Sequence, residues 1–224
     1  MFTKIFNLKR KNTENFSFLV LILMAVILIG PVVKDLGFWS RIITTIVVSF
    51  IPFAIIRAAG KDEKERRIAF IMGMIFLVHI WLYALIRIHL IRLFSSLYLV
   101  IFYVYPLRIV IKHLVTTRTI KSNTIYAAIA GYILIGLVWA SIYMVIDTFK
   151  PGSFSNFNGM SDSIYYSFLT LTTLGYGDIT PLTALAKRIA VLESMFGVLY
   201  NAIVVALIVG IYITERLKKE RKEN

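Results

Sequence analysis

Thr173-Leu174-Gly175-Tyr176-Gly177-Asp178 lies between an apolar, hydroxyl-rich run, Ile164 to Thr172, and Ile179-Thr180-Pro181. Glycines on either side of a tyrosine reach dihedrals barred to other residues, so the stretch can hold an extended path whose carbonyls all point one way. Such a carbonyl ladder can replace the water shell of a cation. Ser161, Asp162 and Ser163 offer an N-cap and a negative first turn for a helix from Ile164 to Thr172. That helix is too short to cross a bilayer and is expected to re-enter. Ala184 to Thr214, after the stretch, is long enough to span with tilt; Gly197 and Gly210 interrupt it and a charged tail from Glu215 ends it.

The composition agrees with a membrane setting. The chain has 224 residues, 58% of them hydrophobic and 14% aromatic, with a mean hydropathy of +0.79. A soluble domain could not cover its surface with so few polar groups. There is no cysteine, which removes disulfides, zinc thiolates and thiol nucleophiles. The formal net charge is +13, but Lys and Arg fall in short clusters between apolar runs, as at membrane ends, and no nucleic-acid partner is expected.

Outward from the opening stretch, five parts are expected: a basic segment 1–15, a four-helix sensor-like domain 16–115, a linker 116–123, a pore domain 124–214 and a basic tail 215–224. The first segment, with Lys4, Lys9, Arg10 and Lys11, is either an amphipathic helix on an anionic membrane surface or a disordered tail. Spans are expected at Phe16 to Val33, Ile42 to Ile56 (bent by Pro52), Ile68 to Ile86, Leu93 to Leu107 and Thr124 to Ile146. Gly131 and Gly136 allow close helix contact. Asp147 to Met160 is a loop by composition. His79 reads as an interior histidine.

The fourth span lacks the repeating cations that a voltage sensor needs. From Arg92 the positions in phase are Ser95, Tyr98, Ile101, Val104 and Leu107, and no acid lies in Ile42 to Ile56 or Ile68 to Ile86 to receive a charge. Arg87, Arg92, Arg108 and Lys112 read as interfacial anchors. With both termini cytoplasmic, 18 of the 25 Lys and Arg fall inside, which puts Asp147 to Pro181 at the outer face of a plasma (inner) membrane.

The 173–178 stretch closely resembles the selectivity filter of the tetrameric potassium-channel superfamily, with Leu174 where valine is commoner. The whole chain resembles the six-helix prokaryotic members, with specificity over Thr124 to Thr214 and only in number and order before that. The resemblance implies an all-α membrane protein: six transmembrane helices, a re-entrant pore helix and a homotetrameric pore. It implies that the carbonyls of Thr173, Leu174, Gly175 and Tyr176, with the Thr173 hydroxyl, hold potassium as the permeant ion, without any cofactor or enzymatic activity. Tyr165 and Tyr166 fall where the family often has tryptophans bracing the filter, with Gly177 and Asp178 as further support. Leu169 stands where some members have a glutamate bonded to the filter aspartate, so Asp178 needs another donor or stays solvated. Gly197 matches an inner-helix hinge, or else is a small residue admitted for packing.

Glu193, Gly197 and Asn201 are spaced by four and share one helix face, with Tyr200 nearby. A carboxylate inside a span is costly unless paired, protonated or hydrogen-bonded. Glu193 is therefore expected either to reach the back of the pore helix near Thr170 or Thr172 and support the filter, or to pair with a basic neighbour. Asn201 is expected near the cavity. Few residues follow Thr214, so gating is expected from the membrane, the termini, the first four spans or a partner; the cations of 216–222 could meet anionic lipid headgroups. A less selective monovalent cation channel, or a non-conducting receptor or enzyme subunit with a structural Gly-Tyr-Gly turn, stays open as an alternative.

Overall fold

A computed structural model of the protein describes residues 15–33, 36–60, 62–85 and 89–223. The basic segment 1–14 and Arg87 lie outside the described residues, as do the side chains of Arg92, Lys218, Lys219, Arg221 and Lys222. The described residues form eight helices and no strand: α1 (Phe16–Val32), α2 (Phe38–Val48), α3 (Ile51–Ala58), α4 (Glu63–Leu85), α5 (His89–Thr116), α6 (Ser122–Phe149), α7 (Met160–Leu171) and α8 (Ala184–Glu223). Four stretches are long and apolar enough to cross a membrane: Trp39–Ala58, Leu93–Thr116, Ser122–Phe149 and Ala184–Thr214. α1 is a shorter apolar helix, and α4 opens with a charged turn and a half before its apolar run.

Proline explains the break between α2 and α3. Pro52 has no N–H to donate and its ring crowds the carbonyl four residues back. The ladder therefore stops at Ser49 and Phe50, and Pro52 sits in the first turn of the new helix. The Pro52 ring also fills the space where a side chain at Gly73 would lie, 2.7 Å from a Cβ built there.

Contacts at one end of the molecule order the helices. The Phe16 N–H at the start of α1 donates to Asn123 Oδ1 at the start of α6, 3.0 Å away. The Asn15 N–H reaches the Arg57 carbonyl near the end of α3, and the buried Phe16 ring packs on His113 near the end of α5 at 4.7 Å. Glu65, in the first turn of α4, joins the same end. Its carboxylate accepts from Arg108 Nη1 at 3.1 Å and from the Tyr105 hydroxyl at 2.9 Å, and lies 3.5 Å from Lys112 Nζ. Arg108 and Lys112, expected as interfacial anchors, thus have an acidic partner just before the predicted third span. Helix starts and ends alternate at this face, as they must in a chain that crosses repeatedly.

α5 packs most extensively on α6, and α1 also packs on α6. Only residues 117–121 separate α5 from α6, too few to carry the first helices away from their own α6. Gly136 lets α7 approach: a Cβ there would lie 2.6 Å from the Phe168 ring. A second apolar cluster, Tyr143, Ile146, Phe154, Tyr166, Ile179 and Ala186, closes the opposite end. α8 runs unbroken through the expected tail; its 40 residues measure about 60 Å, twice the hydrocarbon thickness of about 30 Å. Most of its apolar side chains are exposed in the single chain.

Two outcomes are expected. Gly136→Ala should cost about 1–3 kcal/mol by overpacking, read as a lower unfolding midpoint in detergent, and Phe168→Leu in the same chain should recover most of it. Burial pushes the Glu65 carboxyl up, but Tyr105, Arg108 and Lys112 outweigh it and hold the pKa below its ordinary 4.5. The stability this contributes is present above pH 4.5 and lost as pH falls through the lower folded value. Thermal melts of Glu65→Gln should therefore lack that part of the acid-side decline.

Candidate functional site

α7 begins four residues before the expected Ile164. Gly159, with φ of 109°, is its N-cap, and Asp162 lies inside the first turn rather than before it. The Asp162 carboxylate accepts from the Asn158 N–H at 2.7 Å, fastening the preceding loop to the positive end of the helix. At the other end the Thr172 and Thr173 N–H groups donate to Phe168 and Thr170, and those of Leu174 and Gly175 both turn back to the Leu169 carbonyl, at 2.9 and 3.2 Å. Leu169 therefore ties the 173–178 stretch through its backbone, where some members of the resembled family use a side chain.

The backbone then alternates. φ is +59° at Thr173, +53° at Gly175 and +80° at Gly177, whereas Leu174 and Tyr176 keep negative φ. Alternation between left- and right-handed dihedrals turns successive N–H groups to one side and carbonyls to the other. Glycine adopts the left-handed state freely, but for a β-branched threonine it costs on the order of 1–3 kcal/mol and marks a functional constraint. Thr172 to Asp178 are all exposed, Leu174 at 54% and Tyr176 at 69%. No backbone hydrogen bond to the carbonyls of Thr173, Leu174, Gly175 or Tyr176 is formed among the described residues. A shallow concavity of about 390 Å³ adjoins them, between Thr173 and Ser194, Met195, Val198 and Leu199 of α8.

Asp178 has a donor. The Tyr165 hydroxyl reaches its carboxylate at 2.7 Å, and Asn156 Nδ2 donates to its carbonyl at 3.0 Å. The expected loop 147–160 also forms a strap: Ser155 N–H to the Thr180 carbonyl at 2.9 Å, Thr180 N–H to Ser155 Oγ at 2.8 Å, and Leu182 N–H to the Ser153 carbonyl at 2.8 Å. Phe154 and Pro181 make an isolated bridge there. Tyr166, the neighbour of Tyr165, is buried against Tyr143 and Phe154, ring centroids 4.9 and 5.4 Å away. It braces the strap, while Tyr165 braces Asp178.

Glu193 is fully buried. It accepts from the Tyr143 hydroxyl of α6, and its Oε1 lies 2.5 Å from Ser167 Oγ of α7. It does reach the back of α7, but at Ser167 rather than at the expected Thr170 or Thr172. Ser163, Ser167 and Leu171 recur every four residues on the buried face of α7, while Thr172 is exposed. The Thr170 carbonyl is met by Ser194 Oγ at 3.5 Å instead. No ion pair involves Glu193 among the described residues, so the basic-neighbour reading does not hold.

The Leu171 carbonyl accepts from the Tyr132 hydroxyl at 3.4 Å, and a Cβ at Gly197 would run into that same oxygen. Close packing is thus a demand on position 197. Asn201 is exposed, one turn further along α8, with its side chain near the Tyr132 hydroxyl. Tyr200 donates to the Ala128 carbonyl at 2.7 Å and occupies the space left by Gly131. Sequence reasoning missed Tyr143, Ser167 and Asn156. A polar side chain within a span was the available signal for Tyr143, and none marked Asn156.

A membrane protein whose exposed, alternating backbone turn follows a helix too short to cross is built to offer carbonyl oxygens at a surface. Residues 129–214 match the family model described as ion channel. The chain is 37% identical over 83 residues to the A-type voltage-gated potassium channel KCND3 of Rattus norvegicus and, equally, of Homo sapiens. Each match covers 36% of this chain and 13% of that protein, so the chain spans only a small part of those relatives' length. It is 30% identical over 98 residues to Protein LctB of Bacillus caldotenax, covering 40% of this chain and 72% of that protein. No solved structure matches. The chain belongs to the ion channel family, within the potassium channel superfamily.

Removing the Tyr165 hydroxyl with Tyr165→Phe should loosen the stretch around Asp178. A hydrogen bond to a charged acceptor is stronger than one between neutral groups, although water competes for both partners at this exposed site. Amide hydrogen exchange in the 174–180 peptide should accelerate about tenfold, with exchange in α5 unchanged.

Proposed function

We propose that the chain is one subunit of a homotetrameric channel that conducts potassium passively across the plasma (inner) membrane, with little or no dependence on voltage. The observation that carries this reading is the alternation of φ from Thr173 to Gly177 on an exposed stretch. In this reading α7 is the pore helix and 173–178 the selectivity filter. The carbonyls of Thr173, Leu174, Gly175 and Tyr176 and the Thr173 hydroxyl replace the water shell of potassium. One chain supplies one wall of such a cage, so four copies around an axis complete it. The exposed apolar side chains of α8 and the concavity beside Thr173 then meet neighbouring copies and lipid. The C-terminal end of α7 directs its partial negative charge toward the cavity, which favours a cation there. Gly177, Asp178, Tyr165, Tyr166 and Glu193 support the filter from behind, and Gly197 and Asn201 lie along the inner helix.

The crossings are six: α1, α2 with α3, α4, α5, α6 and α8. Both termini are cytoplasmic in this arrangement, and the end that gathers Phe16, Arg57, Glu65, Lys112 and Asn123 faces the cytoplasm. The basic termini there suit anionic lipid headgroups. Voltage does work of about 2.3 kcal/mol per charge per 100 mV, and only on charges that cross the field. The α5 cations with described side chains, Arg108 and Lys112, sit at its inner end with Glu65, where the field does little work on them.

Purified protein in planar bilayers, with potassium and sodium on opposite sides, tests the reading. Currents should reverse at the potassium equilibrium potential, be blocked by barium, and change open probability only shallowly with voltage. Reversal midway between the two ions would sink selectivity in favour of a general monovalent cation pore, the reading that Leu174 in place of valine leaves open. Absence of any flux would sink the channel itself.

A further inference from the structure

The proposed conduction path accounts for residues 173–178 but leaves unexplained a fully buried carboxyl at the junction of three helices. Glu193 of α8 faces Tyr143 and Tyr132 of α6 and Tyr166 and Ser167 of α7. All four are hydroxyl groups. The ion pairs among the described residues gather instead on Glu65 and its neighbour Asp62.

The hydrogens in this cluster can be counted. Ser167 Oγ lies 2.7 Å from the Gly136 carbonyl oxygen and 2.5 Å from Glu193 Oε1. A carbonyl and a carboxylate only accept, and a serine has one hydrogen to give. With Glu193 ionised, one of these two contacts would bring a pair of oxygens together with no hydrogen between them, in a site closed to water. Tyr143 cannot fill the gap, because its hydrogen is directed to Oε2. A proton on Oε1 supplies the missing hydrogen. Glu193 then donates to Ser167, Ser167 donates to Gly136, and Tyr143 donates to Glu193, so every contact has its own hydrogen.

We infer that Glu193 is held as a neutral carboxylic acid, whose proton closes a chain of hydrogen bonds tying α8 through α7 to α6. Glu193 acts as a positioning residue. Its chain holds Ser167 two residues before Leu169, whose carbonyl receives the Leu174 and Gly175 N–H groups. The proton therefore helps set where the 173–178 stretch sits relative to α8. A neutral group also avoids the cost of burying an unpaired charge among apolar helices. The consequence for current rests on the channel reading, whereas the proton itself does not.

Infrared spectroscopy of the purified protein in liposomes at neutral pH tests this. The wild-type spectrum should contain the C=O stretch of a protonated carboxyl, shifted in D2O and lost in Glu193→Gln. In Ser167→Ala the same band should move, because its hydrogen-bond acceptor is gone. Gln can donate to Ser167 and accept from Tyr143, so Glu193→Gln should recover most of the unfolding-midpoint loss produced by Glu193→Ala. Absence of the band, its persistence in Glu193→Gln, or failure of Glu193→Gln to assemble would each overturn the inference. A silent bilayer with the band present would overturn the channel reading and leave the proton standing.

Discussion

Backbone that is not helical can lie at membrane depth only if protein or water satisfies its polar groups, and this constraint organises the second half of the chain. Residues 172–182 leave the helical path, and several of their backbone groups are engaged within the chain. Leu169 receives the N–H groups of Leu174 and Gly175, Asn156 reaches the Asp178 carbonyl, and Ser155 and Thr180 exchange bonds. The row of oxygens from Thr173 to Tyr176 accepts no backbone hydrogen bond among the described residues. In the proposed ring those oxygens are completed by potassium.

Holding that stretch in place requires three helices to approach closely. α6, α7 and α8 meet where side chains are absent: Gly136 admits Phe168, Gly131 admits the Tyr200 hydroxyl, and Gly197 admits the Leu171 carbonyl. Without a water-driven hydrophobic force between helices in lipid, such close packing and interhelical hydrogen bonds carry the association. The Glu193 cluster lies in the middle of this junction. It joins the three helices at the level of α7, whose C-terminal end leads directly into residues 173–178.

The five helices before α6 are attached by short means. A five-residue connection and the contacts of Phe16 with Asn123 and His113 join them to the start of α6. Glu65 gathers Arg108 and Lys112 at the same end. Under the proposed orientation, movement of α5 would have to break that cluster and would carry few charges through the field. On the proposed reading, these helices form a jacket on their own α6 that suits coupling to the membrane or to headgroups more than to voltage.

Much of this was legible in order of residues alone. The hydropathy of the chain, the short run before 173–178 and the long one after it determined a membrane protein with a glycine-rich turn, because those properties are local. The break at Pro52 and the need for small residues at Gly131 and Gly136 were local as well. Contacts across helices were not: Tyr165 as the donor to Asp178, Asn156 as its second tie, and Ser167 with Tyr143 as the partners of Glu193. The helical period restricts which residues share a face, but not which neighbouring face they meet, nor at what height. Sequence placed a carboxyl inside a span and demanded a partner for it; only the packing of α6, α7 and α8 decided that the partners are hydroxyls, and so where its proton must be.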